Sequence, residues 1–227
     1  MIRVVLASQS PARRQILTSS GIDPIIIVSE VDERAIEDSF TGSVGDLTTA
    51  LSEAKARAVI ERITTANTPQ ISDADTVVVI AGDSILESAG RAIGKPGTAK
   101  RTREIWADIA GTWTVLHTGH TLGVLSRRET GGPDAEESPL ELVDIRSQRS
   151  ATSVLIGTPT PEELDAYIAT EEPFHVAGAL TIDGYGGAFV ERLDGDHLTV
   201  LGLSLPVVRG LAGDMGLFWP DFWSGPS

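Results

Sequence analysis

Eight residues of this chain have the types and settings to do chemistry. Ser8, Ser10, Arg13, Arg14, Lys55 and Lys95 seek anionic oxygens, and Glu33 and Asp83 are hard oxygen ligands. The first four stand together in Leu6-Ala-Ser-Gln-Ser-Pro-Ala-Arg-Arg14. There an apolar run, Ile2 to Ala7, reads as a short buried strand and gives way to two serines and a proline. A helical segment follows to about Ser20, with Gly21 as its stop. Serine is a preferred N-cap and proline a preferred first helical residue, so Ser10-Pro11 reads as a helix mouth set on a strand end. The free N–H groups and dipole of such a mouth attract anions. Arg13 and Arg14, one turn in, add guanidinium forks suited to phosphate oxygens. An ordinary strand–turn–helix with two solvated arginines fits the same residue types equally well.

The carboxylates and lysines have comparable settings. Pro24 to Val28 is a β-branched run, a strand expected to be buried on both faces, and it ends in Ser29-Glu-Val-Asp-Glu33. Strand ends of an α/β sheet are where ligands bind, although a solvated acidic turn is the plainer reading of that stretch alone. Thr76-Val-Val-Val-Ile80 is the clearest buried strand and runs into Ala81-Gly-Asp-Ser84. A buried, unpaired carboxylate is costly, so Asp83 should face a ligand, a metal or a cation. A helix starts at Asp46 as N-cap, with Leu47, Leu51, Ala54 and Ala58 at helical spacing. Lys55 flanks that stripe, so its stem can run along the core edge to a cleft or simply to water. Lys95 sits between Gly94 and Pro96, in a loop near the Asp83 strand end. Cations and helix amides beside one or two carboxylates able to hold Mg²⁺ or Mn²⁺ are the mixture a triphosphate needs.

The elements that must position these groups fit one α/β domain over residues 1–227, with room for two lobes. A hairpin is expected over Ile85 to Ile93 around Ser88-Ala89-Gly90, then a helix from Ala99 to Ile109 capped by Thr98. Trp113 to Val124 reads as a long strand with a bulge at Thr118-Gly119. Residues 127–139 form an acidic surface loop, followed by strands at Leu140 to Ile145 and Ser153 to Ile156. Thr160-Pro161 opens a helix to about Thr170, and Glu171 to Gly187 is glycine-dense. Strands are expected at Ala188 to Leu193 and Leu198 to Leu203, and a last helix from Pro206 to Met215. The aromatic tail, residues 216–227, should fold back onto the body or onto a partner subunit.

Composition removes several classes. With no cysteine, disulfides, thiolate metal sites and cysteine nucleophiles are excluded. A formal net charge of -14 makes duplex nucleic acid and anionic membranes poor partners. It leaves room for a small phosphate ligand, because surface charge is screened beyond ~8 Å. His117-x-x-His120 lies in a β-rich stretch and reads as a surface pair rather than a zinc site. No secretory signal and no stretch of transmembrane length is visible, so a cytoplasmic location is expected.

In one order, Leu6-Ala-Ser-Gln-Ser-Pro-Ala-Arg-Arg14, Ser29-Glu-Val-Asp-Glu33, Lys55-Ala-Arg-Ala58, Ala81-Gly-Asp-Ser84, Gly94-Lys-Pro96, Glu172-Pro173, Ala177-Gly178 and Gly202-Leu-Ser-Leu-Pro206 resemble the motifs of the Maf-like nucleoside triphosphate pyrophosphatases. The resemblance spans Ile2 to about Met215. It implies an elongated α/β fold, a mixed sheet with flanking helices and two lobes around a central cleft, like that of house-cleaning inosine triphosphatases. The implied activity is metal-assisted hydrolysis of a nucleoside triphosphate, canonical or modified, to monophosphate and pyrophosphate, and the implied assembly is a homodimer. Phosphate binding then falls on Ser8, Ser10, Arg13, Arg14, Lys55 and Lys95. The metal falls on Glu33 and Asp83, and catalysis on Asp83, Glu33, Arg13, Lys55 and Lys95. Base recognition falls on Ser84 and Asp183.

The departures from the family pattern are local. Ala12 stands where the family commonly has the first of two arginines, Val176 where it often has lysine, and Asp183 where it often has glutamine. They leave the phosphate groups in place and leave the base open. A non-catalytic nucleotide-binding regulator of cell division would use the same cationic cleft, and nucleotidyl transfer to an acceptor is a third reading. Two carboxylates near phosphate favour an enzyme, since a pure binder needs none.

Overall fold

The computed structural model describes residues 1–66, 68–127 and 139–225. The fold begins with β1 (Ile2–Leu6), α1 (Pro11–Ser19) and β2 (Ile25–Ile26). Next come α2 (Glu33–Ser39), α3 (Val44–Thr65), β3 (Thr76–Ser88) and β4 (Arg91–Ile93). Then follow α4 (Ala99–Ile109), β5 (Trp113–Arg127), β6 (Leu140–Ile156) and α5 (Pro161–Ala169). The chain closes with β7 (Val190–Asp194), α6 (His197–Leu201) and α7 (Leu205–Asp214). Among the described residues these strands make one mixed sheet, ordered β2-β1-β3-β5-β6-β7, with β4 paired to the far end of β3.

Two halves share that sheet because three strands are long enough to cross both. The first half of β3 pairs parallel with β1, Ile2 opposite Thr76 through Leu6 opposite Ile80. Its last residues pair instead with β4, Leu86 opposite Ile93. β5 runs antiparallel beside β3 over its whole length, from Glu87 opposite Val115 to Thr76 opposite Ser126. In the first half, alternation along β1 and β3 sends Val5, Val77 and Val79 to one face, under Ala56, Val59, Ile60 and Ile63 of α3. It sends Leu6, Val78 and Ile80 to the other face, under Leu17, Val208 and Leu211 of α1 and α7. In the second half Leu86, Leu116, Val154 and Ile156 pack on Ile105, Trp106, Ile109 and Tyr167 of α4 and α5. Asp83 lies on β3 at the junction, between the stretch that pairs with β1 and the stretch that pairs with β4.

Several expectations need correction. The run Pro24–Val28 is not a doubly buried strand. Only Ile25–Ile26 pairs, at the edge of the sheet, with Ile26 and Val28 exposed. Helix α3 is capped by Ser43, whose hydroxyl oxygen accepts from Asp46 N–H, so Asp46 lies in the first turn and is not the cap. Thr118-Gly119 carries no bulge. The ladder there is regular, and the shift against β6 falls at Val124/Leu125. Residues 140–156 are one strand and not two. Leu198 to Leu203 is no strand: Asp196 caps the short helix α6, which ends at Gly202 in the left-handed region. His120 is fully buried and His117 largely so; they are not a surface pair. The tail folds back onto the body, with Phe222 buried and Ser224 N–H donating to the Gly21 carbonyl at 2.8 Å. Residues 128–138, the body of the expected surface loop, lie outside the described residues.

Candidate active site

Arg13 shows how the first strand–turn–helix is used. Ser10 caps α1 and Pro11 is its first residue, which brings Arg13 back over the end of β1. Its guanidinium is held at three points. Nε donates to the Gly202 carbonyl at 2.7 Å, Nη1 to Ser8 Oγ at 3.1 Å and Nη2 to Ser84 Oγ at 3.1 Å. Ser84 bonds Thr118 Oγ1 at 3.0 Å, and Thr118 donates to the Thr199 carbonyl at 2.8 Å. Gly202 supplies its carbonyl from a backbone at φ +100°, and an added Cβ would lie 3.3 Å from two guanidinium nitrogens. Burial pushes the Arg13 guanidinium down from its ordinary value, while Asp83 and Glu33 pull it back up. An arginine stays charged through such a shift.

Lys55 joins the two acids. Helix α3 buries Leu51, Ser52, Lys55, Ala56, Val59 and Ile63 against the sheet, so the lysine stem lies in the packed face. Its Nζ reaches Asp83 Oδ1 at 2.6 Å and Glu33 Oε1 at 3.0 Å. Lys55 is 7% exposed and Asp83 8%, whereas the Glu33 side chain is half exposed. The approach of α3 to the sheet depends on Gly119 of β5. A Cβ there would stand 2.2 Å from the Thr48 carbonyl oxygen and 2.6 Å from Thr49 N. Backbone lies directly on backbone at that point, and no side chain fits between.

These groups line a single cavity of about 600 Å³. Ser8, Ser10, Arg13, Glu33, Lys55, Asp83, Ser84 and Lys95 all face it, so eight of the ten residues singled out from the sequence come together. Lys95 is exposed, on the loop after β4. Apolar side chains complete the lining: Ile85, Leu116, Leu180 and Val200. Arg14 and Asp183 are not brought in. Arg14 is exposed and lines a second depression, which shares Ser8 and Ser10 with the cavity and is bounded by Gln15, Thr18 and Ile26. Asp183 is exposed, with its carboxylate accepting from Thr181 Oγ1.

Two cavity residues escaped the reading of the sequence. Arg34 and Glu37 stand on α2 and face the same space as Glu33. Burial first, then Asp83 and Glu33, hold the Glu37 carboxyl above its ordinary value, and Arg34 opposes the rise. The signal was present in outline: Asp32 caps the helix, and Glu33 and Glu37 are four apart.

The sequence profile of the Maf-like protein family matches residues 3–215. A Saccharopolyspora erythraea protein named nucleoside triphosphate pyrophosphatase is 42% identical over 227 residues, covering 99% of each chain. Proteins of the same name from Nocardia farcinica and Cutibacterium acnes are 42% and 39% identical. They align with 99% and 98% of this chain and with 98% and 95% of their own. Among solved structures, the Staphylococcus aureus Ham1 protein aligns with 94% of this chain and 99% of its own at 12% identity, with a TM-score of 0.43. Both the profile and the relatives extend over almost the whole length, and this chain belongs to the Maf-like protein family.

Proposed function

We propose that this protein is a nucleoside triphosphate pyrophosphatase, cleaving between the α- and β-phosphorus to leave a monophosphate and pyrophosphate. The observation that carries the reading is Lys55 Nζ held between Glu33 and Asp83 in the cavity that Arg13 and Lys95 also line. The relatives named above bear the same activity in their names.

A divalent metal fits the donor set. Mg²⁺ is held by one or two carboxylates with phosphate oxygens and water completing its shell, and Glu33 and Asp83 offer carboxylate oxygens within 3.0 Å of one nitrogen. Those two residues would hold it, and when bound it supplies Lewis-acid neutralisation of phosphate oxygens and a more acidic water. The chain's own groups divide the remaining work. Lys55 binds Asp83 Oδ1 and leaves Oδ2 as the oxygen that takes a proton from the attacking water. Arg13, fixed by three hydrogen bonds, presents a preorganised cation that needs no rearrangement as charge develops. Lys95 and the α1 mouth, with Ser8 and Ser10, receive phosphate oxygens. The apolar walls at Ile85, Leu116, Leu180 and Val200 take the base. No described helix is long and apolar enough to cross a membrane.

A panel of canonical and modified triphosphates with Mg²⁺ or Mn²⁺, assayed for both products, tests the reading. Pyrophosphate and monophosphate should appear in equal amounts and disappear with a chelator. Binding without product release would identify a nucleotide sensor instead, and release only with an added acceptor would identify a transferase.

A further inference from the structure

The cavity's cations fall into two groups. Arg13 is pinned by three of its five N–H donors to Gly202, Ser8 and Ser84, and Lys55 bridges Asp83 and Glu33. Both are built into the wall. Among the described residues Arg34 and Lys95 make no hydrogen bond and no ion pair, and both face the cavity from exposed positions. Lys95 stands on the loop after β4, in the half of the fold built on the far end of β3. Arg34 stands on α2, which follows β2 in the other half.

Charge supports a role for Arg34. Arg13, Lys55 and Lys95 are matched in number by Glu33, Glu37 and Asp83 among the cavity residues. Arg34 is the cation that tips the lining positive, and an anion entering the cleft of a strongly acidic protein needs that surplus. Chemistry supports it as well. A guanidinium presents several donors in a planar fork that engages two phosphate oxygens at once. Finally, α2 has no buried side chain, so it can shift to meet a ligand without opening a core.

Resting on the pyrophosphatase reading, we propose that Arg34 is a phosphate-binding residue that grips the β,γ-phosphates and the pyrophosphate they become, sharing them with Lys95. On this assignment the nucleoside monophosphate makes no contact with Arg34. The test is calorimetric titration of inorganic pyrophosphate with Mg²⁺ into the full chain and into Arg34→Gln and Arg34→Lys. A nucleoside monophosphate is titrated in parallel, and steady-state rates are measured on a triphosphate. Losing a charge-assisted contact should weaken pyrophosphate binding by about 10- to 100-fold in Arg34→Gln. Arg34→Lys should recover part of that loss, monophosphate binding should stay within about 2-fold, and the KM for triphosphate should rise more than kcat falls. Unchanged pyrophosphate binding in Arg34→Gln, equal losses for both products, or no pyrophosphate binding by the parent protein would each overturn the assignment. A parent protein that binds pyrophosphate through Arg34 yet hydrolyses no triphosphate would retain the contact and refute the enzymatic reading alone.

Discussion

Gly119→Ala puts the architecture of the site under a defined load. The added methyl would stand 2.2 Å from the Thr48 carbonyl oxygen, so α3 must back away by about 1 Å to restore ordinary contact. Nothing flexible can absorb the displacement, because the three nearest atoms are all backbone. Overpacking of this kind destabilises by about 1–3 kcal/mol. The same displacement carries Lys55, two turns further along α3, away from an Asp83 contact of 2.6 Å. Misplacement of a site by about 1 Å can lower a rate by ~10²-fold. Gly123→Ala is the matched control on the same strand and under the same helix. Its methyl would meet Ile60 Cδ1 at 2.5 Å, the free end of a side chain that can rotate. It should cost less than Gly119→Ala, at the lower end of the same range, and little activity. Urea melts of both variants, read beside pyrophosphate release, separate the cases. If Gly119→Ala melts with the parent protein and keeps its kcat, direct backbone contact is not what sets the position of Lys55.

Three further outcomes follow from the geometry. Asp83→Asn should keep the fold, since Lys55 retains Glu33 at 3.0 Å, and should lower kcat by more than ~10³-fold in a single-turnover assay. Ser84→Ala removes a partner of both Arg13 and Thr118, so kcat/KM should fall about 10-fold alike for every base; a changed rank order of bases would assign Ser84 to the base instead. His120 accepts from Ser204 N–H through Nε2 at 2.8 Å, which places its proton on Nδ1, facing the Gln148 carbonyl at 3.3 Å. Burial lowers its pKa from 6.5 to about 4, so its contribution is whole above pH 6.5 and is lost as pH falls towards 4. That loss amounts to about 3 kcal/mol, and the matching part of the pH dependence of the urea midpoint should vanish in His120→Gln.

What the chain displayed plainly were features tied to strong local physics. Five apolar residues before Gly82-Asp83 made a carboxylate at a strand end conspicuous, and the structure gives it a cation. Ser10-Pro11 marked a helix start because cap and first turn are both local. Helix α2 was hidden because seven residues with no buried side chain leave no apolar period, and Arg34 and Glu37 were hidden with it. The middle of β6, Arg146-Ser-Gln-Arg-Ser150, looked like a break; no described strand pairs with its outer side there, so polar residues suit it. In α6, Leu198-Thr-Val-Leu201 has the composition of a strand, and only the Asp196 cap and the left-handed Gly202 mark the helix. Gly119 looked like a bulge because the neighbour that excludes a side chain lies some seventy residues away in the chain.

The length of the central strands also bears on how the cleft can move. β3, β5 and β6 pass unbroken from one wall to the other, and β6 alone extends about 55 Å. A ladder continuous through both halves acts as a splint, so the jaws have no pivot between them and their spacing is fixed by hydrogen-bond register. Any adjustment to a ligand is then left to segments such as α2, which has no buried side chain and is tied to the body through the Glu33–Lys55 pair, and the overall dimensions of the molecule should be the same in solution scattering with and without pyrophosphate.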